Sequence, residues 1–324
     1  MELISSEFEF GVYVGGAAGT ESGMTAGGPP DDASKIKNAL NDLQGSAPSF
    51  LVRCYAGYHG IDKEPRTIAT DVEGFTTSNR KLDLVLCFQA NEGNMEGWKK
   101  FITAHIERYG QQIKYLQITE EANVSLPSLD GYYNHSRKAL VEGIIHAKSI
   151  IKGKGLYIQV GFNATPDFNP NKTFWKEIKN LARPDFYHSL DYVGLDFFPG
   201  VFRALPSQNQ PDVHQLIAKV IQAFKNDIGD AGIDMNIQLH ITENGFATHV
   251  DNSEQQQSEM LSMIITILFE LRSKFNIQTY ELFSLRDADS SVKDVFYRFG
   301  IMRDDYSPKP AYFTLKRLIE QFTV

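Results

Sequence analysis

The stretch NIQLHITENG, residues 236–245, is the segment that decides the fold. Its apolar and β-branched residues predict a buried strand, and Glu243, Asn244 and Gly245 predict a tight turn directly after it. An acidic residue at the carboxyl end of a buried strand occupies the position where α/β barrels place their chemistry. The stretch therefore predicts an architecture and a candidate site together.

Seven further segments have the character of buried strands, and helical patterns separate most of them. These strands are predicted at residues 8–15, 50–55, 82–88, 113–119, 156–162, 192–198 and 279–285. Strands that are joined by helical crossovers pair in parallel. Eight such units in 324 residues predict a (β/α)8 TIM barrel, with residues 1–324 forming one catalytic domain. A doubly wound open sheet is the alternative, but it normally has fewer units or a dinucleotide fingerprint.

Composition excludes several classes of partner. The net charge of −8 argues against nucleic acid or an anionic membrane as the main partner, because both require basic patches. No apolar run approaches the roughly 20 residues of a membrane span. Residues 1–10 lack the pattern of a signal peptide, so we expect a cytoplasmic protein, or a secreted one if a signal peptide has been removed.

Cysteine and histidine usage predicts neither a metal site nor a cofactor. Cys54 and Cys87 lie inside predicted strands and are expected to be buried free thiols. The eight histidines are scattered, and no cluster has the spacing of metal ligands.

Two glutamates follow strands that lie across the predicted barrel from each other. Glu121 follows the fourth strand and Glu243 the seventh. Two carboxyl groups that face a sugar are the minimum apparatus for breaking a glycosidic bond, with one protonated and the other ionised. The alternative is that both are strand-end acids in structural salt bridges.

Three segments resemble the clan A retaining glycoside hydrolases. Thr242 to Gly245 resembles the nucleophile motif of that clan, and YLQITEEAN at 115–123 is similar to its fourth-strand segment. The third resemblance is in the strand-eight to helix-eight passage, with FSLRD at 283–287, GIM at 300–302 and SPKPAY at 307–312.

This resemblance implies that Glu243 is the nucleophile and Glu121 the general acid/base. Asn123 matches the Asn that follows the clan's Glu-Pro, and strand alternation also places Glu121 on the face of Gln117. Glu120 then stands where the clan has an Asn that binds the sugar 2-hydroxyl. It could keep the acid protonated, select an amino sugar, or be the acid itself if the register is shifted by one.

The sequence departs from the clan at two other strand ends. The hydroxyl that commonly bonds the nucleophile is missing near the end of strand six, and Phe283 takes the place of a Trp on strand eight. Glu243 also shares the parity of Leu239 and Ile241, so either the inner barrel layers are apolar or a bulge re-aims the glutamate.

The remaining candidates are assigned to substrate binding. Arg53 resembles the clan Arg that orients the nucleophile, and a neighbouring Arg would keep Glu243 ionised. The other polar and aromatic candidates at strand ends are Asn163, Asp196, Phe198 and Arg286.

The sequence thus predicts a retaining glycoside hydrolase that acts on a glycoside or an oligosaccharide without a cofactor. One alternative is a catalytically impaired barrel that serves as a carbohydrate-binding protein. A barrel lyase or aldolase is a third hypothesis, but no strand ends in the lysine or metal cluster that it needs.

Overall fold

Eight parallel strands close into a barrel in the computed structural model, which describes residues 8–20, 22–25, 28–60, 63, 66–68, 72–168, 171–202, 205, 209–249 and 252–323. The barrel strands are β1 (Glu9–Tyr13), β2 (Phe50–Tyr58), β3 (Arg80–Phe88), β4 (Ile113–Ile118), β5 (Gln159–Ala164), β6 (Tyr192–Asp196), β7 (Gln238–Asn244) and β8 (Ile277–Leu282). Each strand pairs with its neighbours in sequence, and β1 pairs with both β2 and β8. Val12 of β1 is opposite Val52 on one side and Leu282 on the other, which closes the barrel and confirms the predicted fold.

Helices follow the strands around the outside. They are α1 (Ala33–Gln44), α2 (Val72–Phe75), α3 (Met95–Tyr109), α4 (Ser136–Gly153), α5 (Thr173–Leu181), α6 (Pro184–Ser189), α7 (Gln210–Asp230), α8 (Glu254–Phe275) and α9 (Pro310–Phe322). The Asp32 carboxylate caps α1 by accepting from the main-chain N–H groups of Ser34 and Lys35. Among the described helices, none has the length and apolar character needed to cross a membrane.

The structure differs from the sequence expectations mainly at element ends. The helix α6 was not predicted, because Pro184 follows α5 closely and its six residues give little periodicity. Between β2 and β3 the described residues form Arg66–Ile68, an antiparallel strand on β2, and the four-residue α2. Residues 1–7 of the segment 1–10, on which the signal-peptide expectation rests, lie outside the described residues.

The barrel strands separate an apolar outer layer from a polar interior. Leu116 and Ile118 of β4 and Leu239 and Ile241 of β7 are fully buried in the layer between strands and helices. Burial of each such side chain stabilises the fold by about 1.5–3 kcal/mol. The intervening side chains face inward, and the interior of the barrel holds fully buried charged groups such as Arg53, Asp83 and Glu281. Cys54 and Cys87 are buried free thiols, as predicted.

Candidate active site

A bulge at the end of β7 turns Glu243 into the barrel. The pairing register of β7 with β6 shifts between Ile241 and Glu243, and the register with β8 shifts between Ile241 and Asn244. Such a shift interrupts the two-residue alternation of side chains. Thr242 and Glu243 therefore both face inward although they are adjacent, which resolves the two possibilities for Glu243 in favour of the bulge.

At the end of β4 the side-chain alternation is interrupted by positive φ angles, not by a bulge. Thr119 and Glu121 have positive φ angles of 68° and 42°, a conformation that β-branched and other L-residues rarely adopt. Alternation therefore stops at Ile118, so strand parity does not decide between Glu120 and Glu121. Both Glu120 and Glu121 line the same cavity.

Hydrogen bonds hold this strained turn in place. The main-chain N–H of Glu121 donates to Asn163 Oδ1 at 2.8 Å. Asp130 Oδ2 accepts from the main-chain N–H groups of Phe88 at 2.6 Å and Glu120 at 2.9 Å. We call this last arrangement the Asp130 clamp, and it ties the end of β3 to the end of β4.

Four carboxyl groups meet at the base of the cavity. One oxygen from each of Glu120, Glu121, Asp196 and Glu243 lies within 4.8 Å of the others. Oxygen donors at this spacing have the chemistry to hold a hard cation or the amino group of a ligand. The spacing of these residues along the chain does not reveal the cluster, because its members follow or end three strands that are distant in sequence, β4, β6 and β7.

Arg53 lies beneath this cluster and forms ion pairs with two of its carboxyl groups. Its guanidinium is fully buried and contacts Asp83 Oδ2 at 2.7 Å, Glu120 Oε2 at 3.2 Å and Glu243 Oε1 at 3.6 Å. It also donates to Gln117 Oε1 at 3.0 Å. Among the described residues, the ion pairs of this cluster all come from Arg53. One cation beside several carboxyl groups means that they cannot all ionise together.

Tyr55 is a site residue whose role the sequence did not reveal. Its hydroxyl donates a hydrogen bond to Glu243 Oε1 and accepts one from Arg53 Nε at 2.7 Å. Burial raises the pKa of Tyr55 well above its usual value, so the hydroxyl remains a donor. The hydroxyl that strand six lacks is thus supplied by β2.

The two predicted catalytic glutamates have different electrostatic surroundings. Burial, together with the neighbouring carboxylates of Asp196 and Glu243, raises the pKa of Glu121 well above its ordinary value. Burial also raises the pKa of Glu243, but Arg53 and the Tyr55 hydrogen bond oppose that shift. These surroundings favour a protonated Glu121 beside an ionised Glu243.

Asn163 and Asp196 complete the polar base. Asn163 Nδ2 donates to both oxygens of Glu120 at 3.2 Å and also to Asp196. Asp196 Oδ1 accepts from Thr242 Oγ1 at 2.5 Å. Burial and the charge of Glu243 raise the pKa of Asp196 well above its usual value.

Phe198 and Phe283 line the cavity above this base. The cavity has a volume of about 690 Å³ and most of its lining side chains are apolar. Phe283 stacks on Tyr13 with ring centroids 5.1 Å apart and precedes a cis peptide bond to Ser284. Its ring lines the cavity directly after β8.

Two predicted substrate-binding residues lie elsewhere. Asn123 Nδ2 donates to Thr165 O and Oγ1 at 3.0 and 2.9 Å, so Asn123 joins the loops after β4 and β5. Arg286 pairs with Asp31 at 2.7 Å and donates to Pro29 O at 2.6 Å, which anchors the segment before α1. Neither residue lines the cavity, and neither do Arg53 and Asn163, although these two contact its carboxyl groups. The positions of Asn123 and Arg286 at strand ends in the sequence gave no information about the direction of their side chains.

The barrel and its carboxylate-lined mouth define the chain as a TIM-barrel protein with the fold of the clan A glycoside hydrolases, which confirms the predicted resemblance at the level of the fold. A family 39 glycoside hydrolase from Bacteroides cellulosilyticus WH2 has a TM-score of 0.62 and 13% identity, covering 99% of this chain and 66% of its own. A family 1 β-glucosidase from Thermotoga maritima has a TM-score of 0.60 and 12% identity, covering 90% and 87%. A monomeric β-xylosidase from Caulobacter crescentus CB15 has a TM-score of 0.59 and 14% identity, covering 96% and 67%.

This chain thus spans about two thirds of the family 39 enzyme. No family model matches the sequence, and no curated protein does.

Proposed function

We propose that this protein is a retaining glycoside hydrolase that cleaves a β-glycosidic bond by double displacement. The observation that carries the proposal is the meeting of Glu121 from β4 and Glu243 from β7 at the base of one cavity, with carboxyl oxygens within 4.8 Å. Retaining enzymes place the two carboxyl groups about 5–5.5 Å apart, whereas inverting enzymes keep roughly 6.5–9.5 Å for a water molecule. The short spacing supports retention.

In the first step, Glu243 attacks the anomeric carbon while Glu121 gives its proton to the glycosidic oxygen. The bond to the leaving group breaks, and a glycosyl ester forms on Glu243. In the second step, Glu121 takes a proton from water as that water attacks the anomeric carbon. The ester bond breaks, Glu243 regains its charge and Glu121 regains its proton.

The neighbours of Glu243 support its role as the nucleophile. Arg53 and the Tyr55 hydroxyl stabilise a negative charge on the Glu243 carboxylate before attack. Glu121, in contrast, has no hydrogen bond to its carboxyl group among the described contacts, and its side chain is nine-tenths buried at the cavity wall. An acid in that state is available to the leaving-group oxygen.

Glu120 and Asp196 are proposed to bind the hydroxyls of the sugar at the cleavage site. Glu120 is held by Arg53, Gln117 and Asn163, so it is oriented more firmly than Glu121. A firmly held carboxyl group suits recognition, whereas the acid must exchange its proton with the substrate and with water.

The test is covalent labelling with 2-deoxy-2-fluoro glycosides that carry a good leaving group. The panel covers glucose, xylose, galactose, mannose and glucuronic acid, and peptide mass mapping locates the label. We expect one label per chain, on Glu243. Glu243→Gln should take no label, whereas Glu320→Gln, which removes an exposed acid on α9, should label as the wild type does.

A label on Glu120 or Glu121 would identify that residue as the nucleophile and contradict the role assigned to Glu243. Sugar binding without turnover or label across the panel would favour the carbohydrate-binding protein instead. Normal turnover by a folded Glu243→Gln variant would overturn the assignment of the nucleophile.

A further inference from the structure

We propose that the substrate is a glycoside with an uncharged, apolar aglycone, such as an alkyl or aryl group, and that a second sugar is disfavoured in the aglycone position. The inference rests on the proposed function, because it names the class of leaving group that occupies the cavity above the four carboxyl groups. We call the part of the cavity formed by Phe198, Phe202, Val220, Phe296 and Phe299 the aromatic chamber.

The aromatic chamber is continuous with the carboxylate base. Phe198 and Phe299 pack edge to face with ring centroids 5.4 Å apart, and Phe202 packs against Phe296 at 5.7 Å. Val220 adds an aliphatic surface from α7. A leaving group that extends from the base into the chamber is therefore surrounded by aromatic rings and methyl groups. The volume of about 690 Å³ is in the range of sites that bury most of a drug-sized ligand.

Polar side chains that line the cavity above the carboxyl groups already form hydrogen bonds within the protein. Tyr13 donates to Ala17 O at 3.0 Å, Gln89 donates to Ser128 O at 2.9 Å, and the Ser128 hydroxyl donates to Thr20 O at 3.1 Å. The Thr165 hydroxyl accepts from Asn123 at 2.9 Å. A second sugar in the chamber would leave water and find few replacement partners among the described lining residues. Unpaired buried hydroxyls are costly, whereas apolar burial is favourable.

Charge in the cavity disfavours an anionic aglycone. The charged side chains among the described lining residues are Glu120, Glu121, Asp196 and Glu243, all of them acidic. Arg53 lies beneath them and is already engaged by carboxylates. Since no described lining residue offers a positive charge, an anionic leaving group would enter a negative field without a partner.

The rim of the cavity also carries exposed aromatic surface. Phe168 is 62% exposed and Phe202 is 55% exposed, and both line the cavity. Exposed rings around a concave apolar site are typical of surfaces that bind apolar ligands. They extend the apolar path from the chamber toward solvent, which suits a flexible or extended aglycone.

The test combines a chain-length series with a pair of matched variants. Methyl, butyl, hexyl and octyl β-glycosides of the sugar that the labelling panel identifies are compared with the disaccharide of that sugar. We expect kcat/KM to rise by about two- to fourfold per added methylene until the chamber is filled, and the disaccharide to be a poor substrate. Phe202→Ser should lower the octyl-to-methyl ratio by about tenfold. Phe313→Ser removes a ring that is 58% exposed on α9, outside the cavity, and should leave the ratio unchanged.

A second measurement separates this inference from the proposed hydrolase activity. The neutral fluorescent probe N-phenyl-1-naphthylamine should bind one site per chain, be displaced by octyl glucoside but not by cellobiose, and bind more weakly to Phe202→Ser. Flat chain-length dependence with efficient disaccharide cleavage would overturn the apolar-aglycone inference and leave the hydrolase proposal standing. Probe binding that depends on Phe202, without hydrolysis of any glycoside, would overturn the hydrolase and support the apolar site. Failure of the probe to bind would contradict the inference that the aromatic chamber binds apolar groups.

Discussion

The Tyr55 hydroxyl donates a hydrogen bond to the carboxylate of Glu243, although the two residues are 188 positions apart and belong to β2 and β7. The same hydroxyl accepts from Arg53, so one phenol links the cation of the site to its proposed nucleophile. Tyr55 in turn packs against Tyr13, whose ring stacks on Phe283. The orientation of Glu243 is thereby connected to the aromatic side of the cavity.

Tyr55→Phe tests this connection. Loss of the hydrogen bond removes an interaction that lowers the pKa of Glu243, so that pKa should rise. A higher pKa means that a larger fraction of Glu243 is protonated at low pH, and the acidic limb of the kcat/KM profile should move to higher pH. We expect kcat/KM at the optimum to fall by about ten- to a hundredfold. Tyr58→Phe is the matched control on the same strand, because the Tyr58 hydroxyl has no described hydrogen-bond partner.

Leaving-group chemistry distinguishes Glu121 from Glu120. Glu121→Ala should slow hydrolysis of phenyl glycosides by about 10²–10⁴-fold, because the phenolate then departs without a proton. The glycosylation step with dinitrophenyl glycosides should be much less affected, and added azide should yield a glycosyl azide of retained configuration.

Glu120→Gln is the comparison for this experiment, since it changes the adjacent carboxyl group and preserves its shape. We expect a change in KM and a retained dependence on Glu121. Azide rescue of a Glu120 variant, together with a normal Glu121 variant, would show that the acid is Glu120.

The Asp130 clamp predicts both a stability cost and a pH dependence. Asp130→Ala leaves two buried N–H groups without an acceptor and should lower the free energy of unfolding by about 2–4 kcal/mol. Asp130→Asn retains an acceptor oxygen for both N–H groups and should cost less. Chemical denaturation of both variants gives the two values.

Burial raises the pKa of Asp130 from its usual value to about 7. The folded state therefore binds a proton more tightly than the unfolded chain does, and this contribution to stability is lost as the pH rises through about 7. Asp130→Asn cannot titrate. Its free energy of unfolding should therefore improve relative to the wild type between pH 5 and pH 8, and an unchanged difference across that range would contradict the assignment.

The left-handed conformation of Thr119 predicts an unusual preference for glycine. Thr119→Gly and Thr119→Ala both remove a buried hydroxyl that has no described partner. Only glycine adopts the φ of 68° without steric cost, so Thr119→Gly should be more stable than Thr119→Ala by about 1 kcal/mol. Thermal unfolding of the two variants measures the difference, and equal stability would show that the turn relaxes in the alanine variant.

The barrel could be predicted from sequence because its signal is local. Each strand is a short apolar run, and most of the runs are separated by helical patterns that indicate parallel pairing. Acids at the ends of β4 and β7 could also be found, since strand ends are visible in the chain. Side-chain direction at these strand ends could not be derived from alternation, because it depends on a register shift before Glu243 and a positive φ at Thr119.

Interactions between distant strands could not be predicted in the same way. Tyr55 was one aromatic residue among many, and its hydroxyl reaches Glu243 only after the barrel closes. Arg286, like Arg53, was a predicted substrate-binding cation near a strand end, yet it binds Asp31 and Pro29 in the segment before α1. Whether an arginine contacts the carboxyl groups of the site or holds a loop in place depends on tertiary packing, and a single sequence does not reveal that packing.

The Asp130 clamp also constrains which positions can be substituted during evolution. Its acceptor contacts main-chain N–H groups, and those groups are the same whatever side chains stand at positions 88 and 120. Selection on the clamp therefore acts on one acidic residue and on the ten-residue interval from 120 to 130. Distant relatives should therefore keep an acidic residue ten positions after the residue equivalent to Glu120, even where the residues between these positions differ completely.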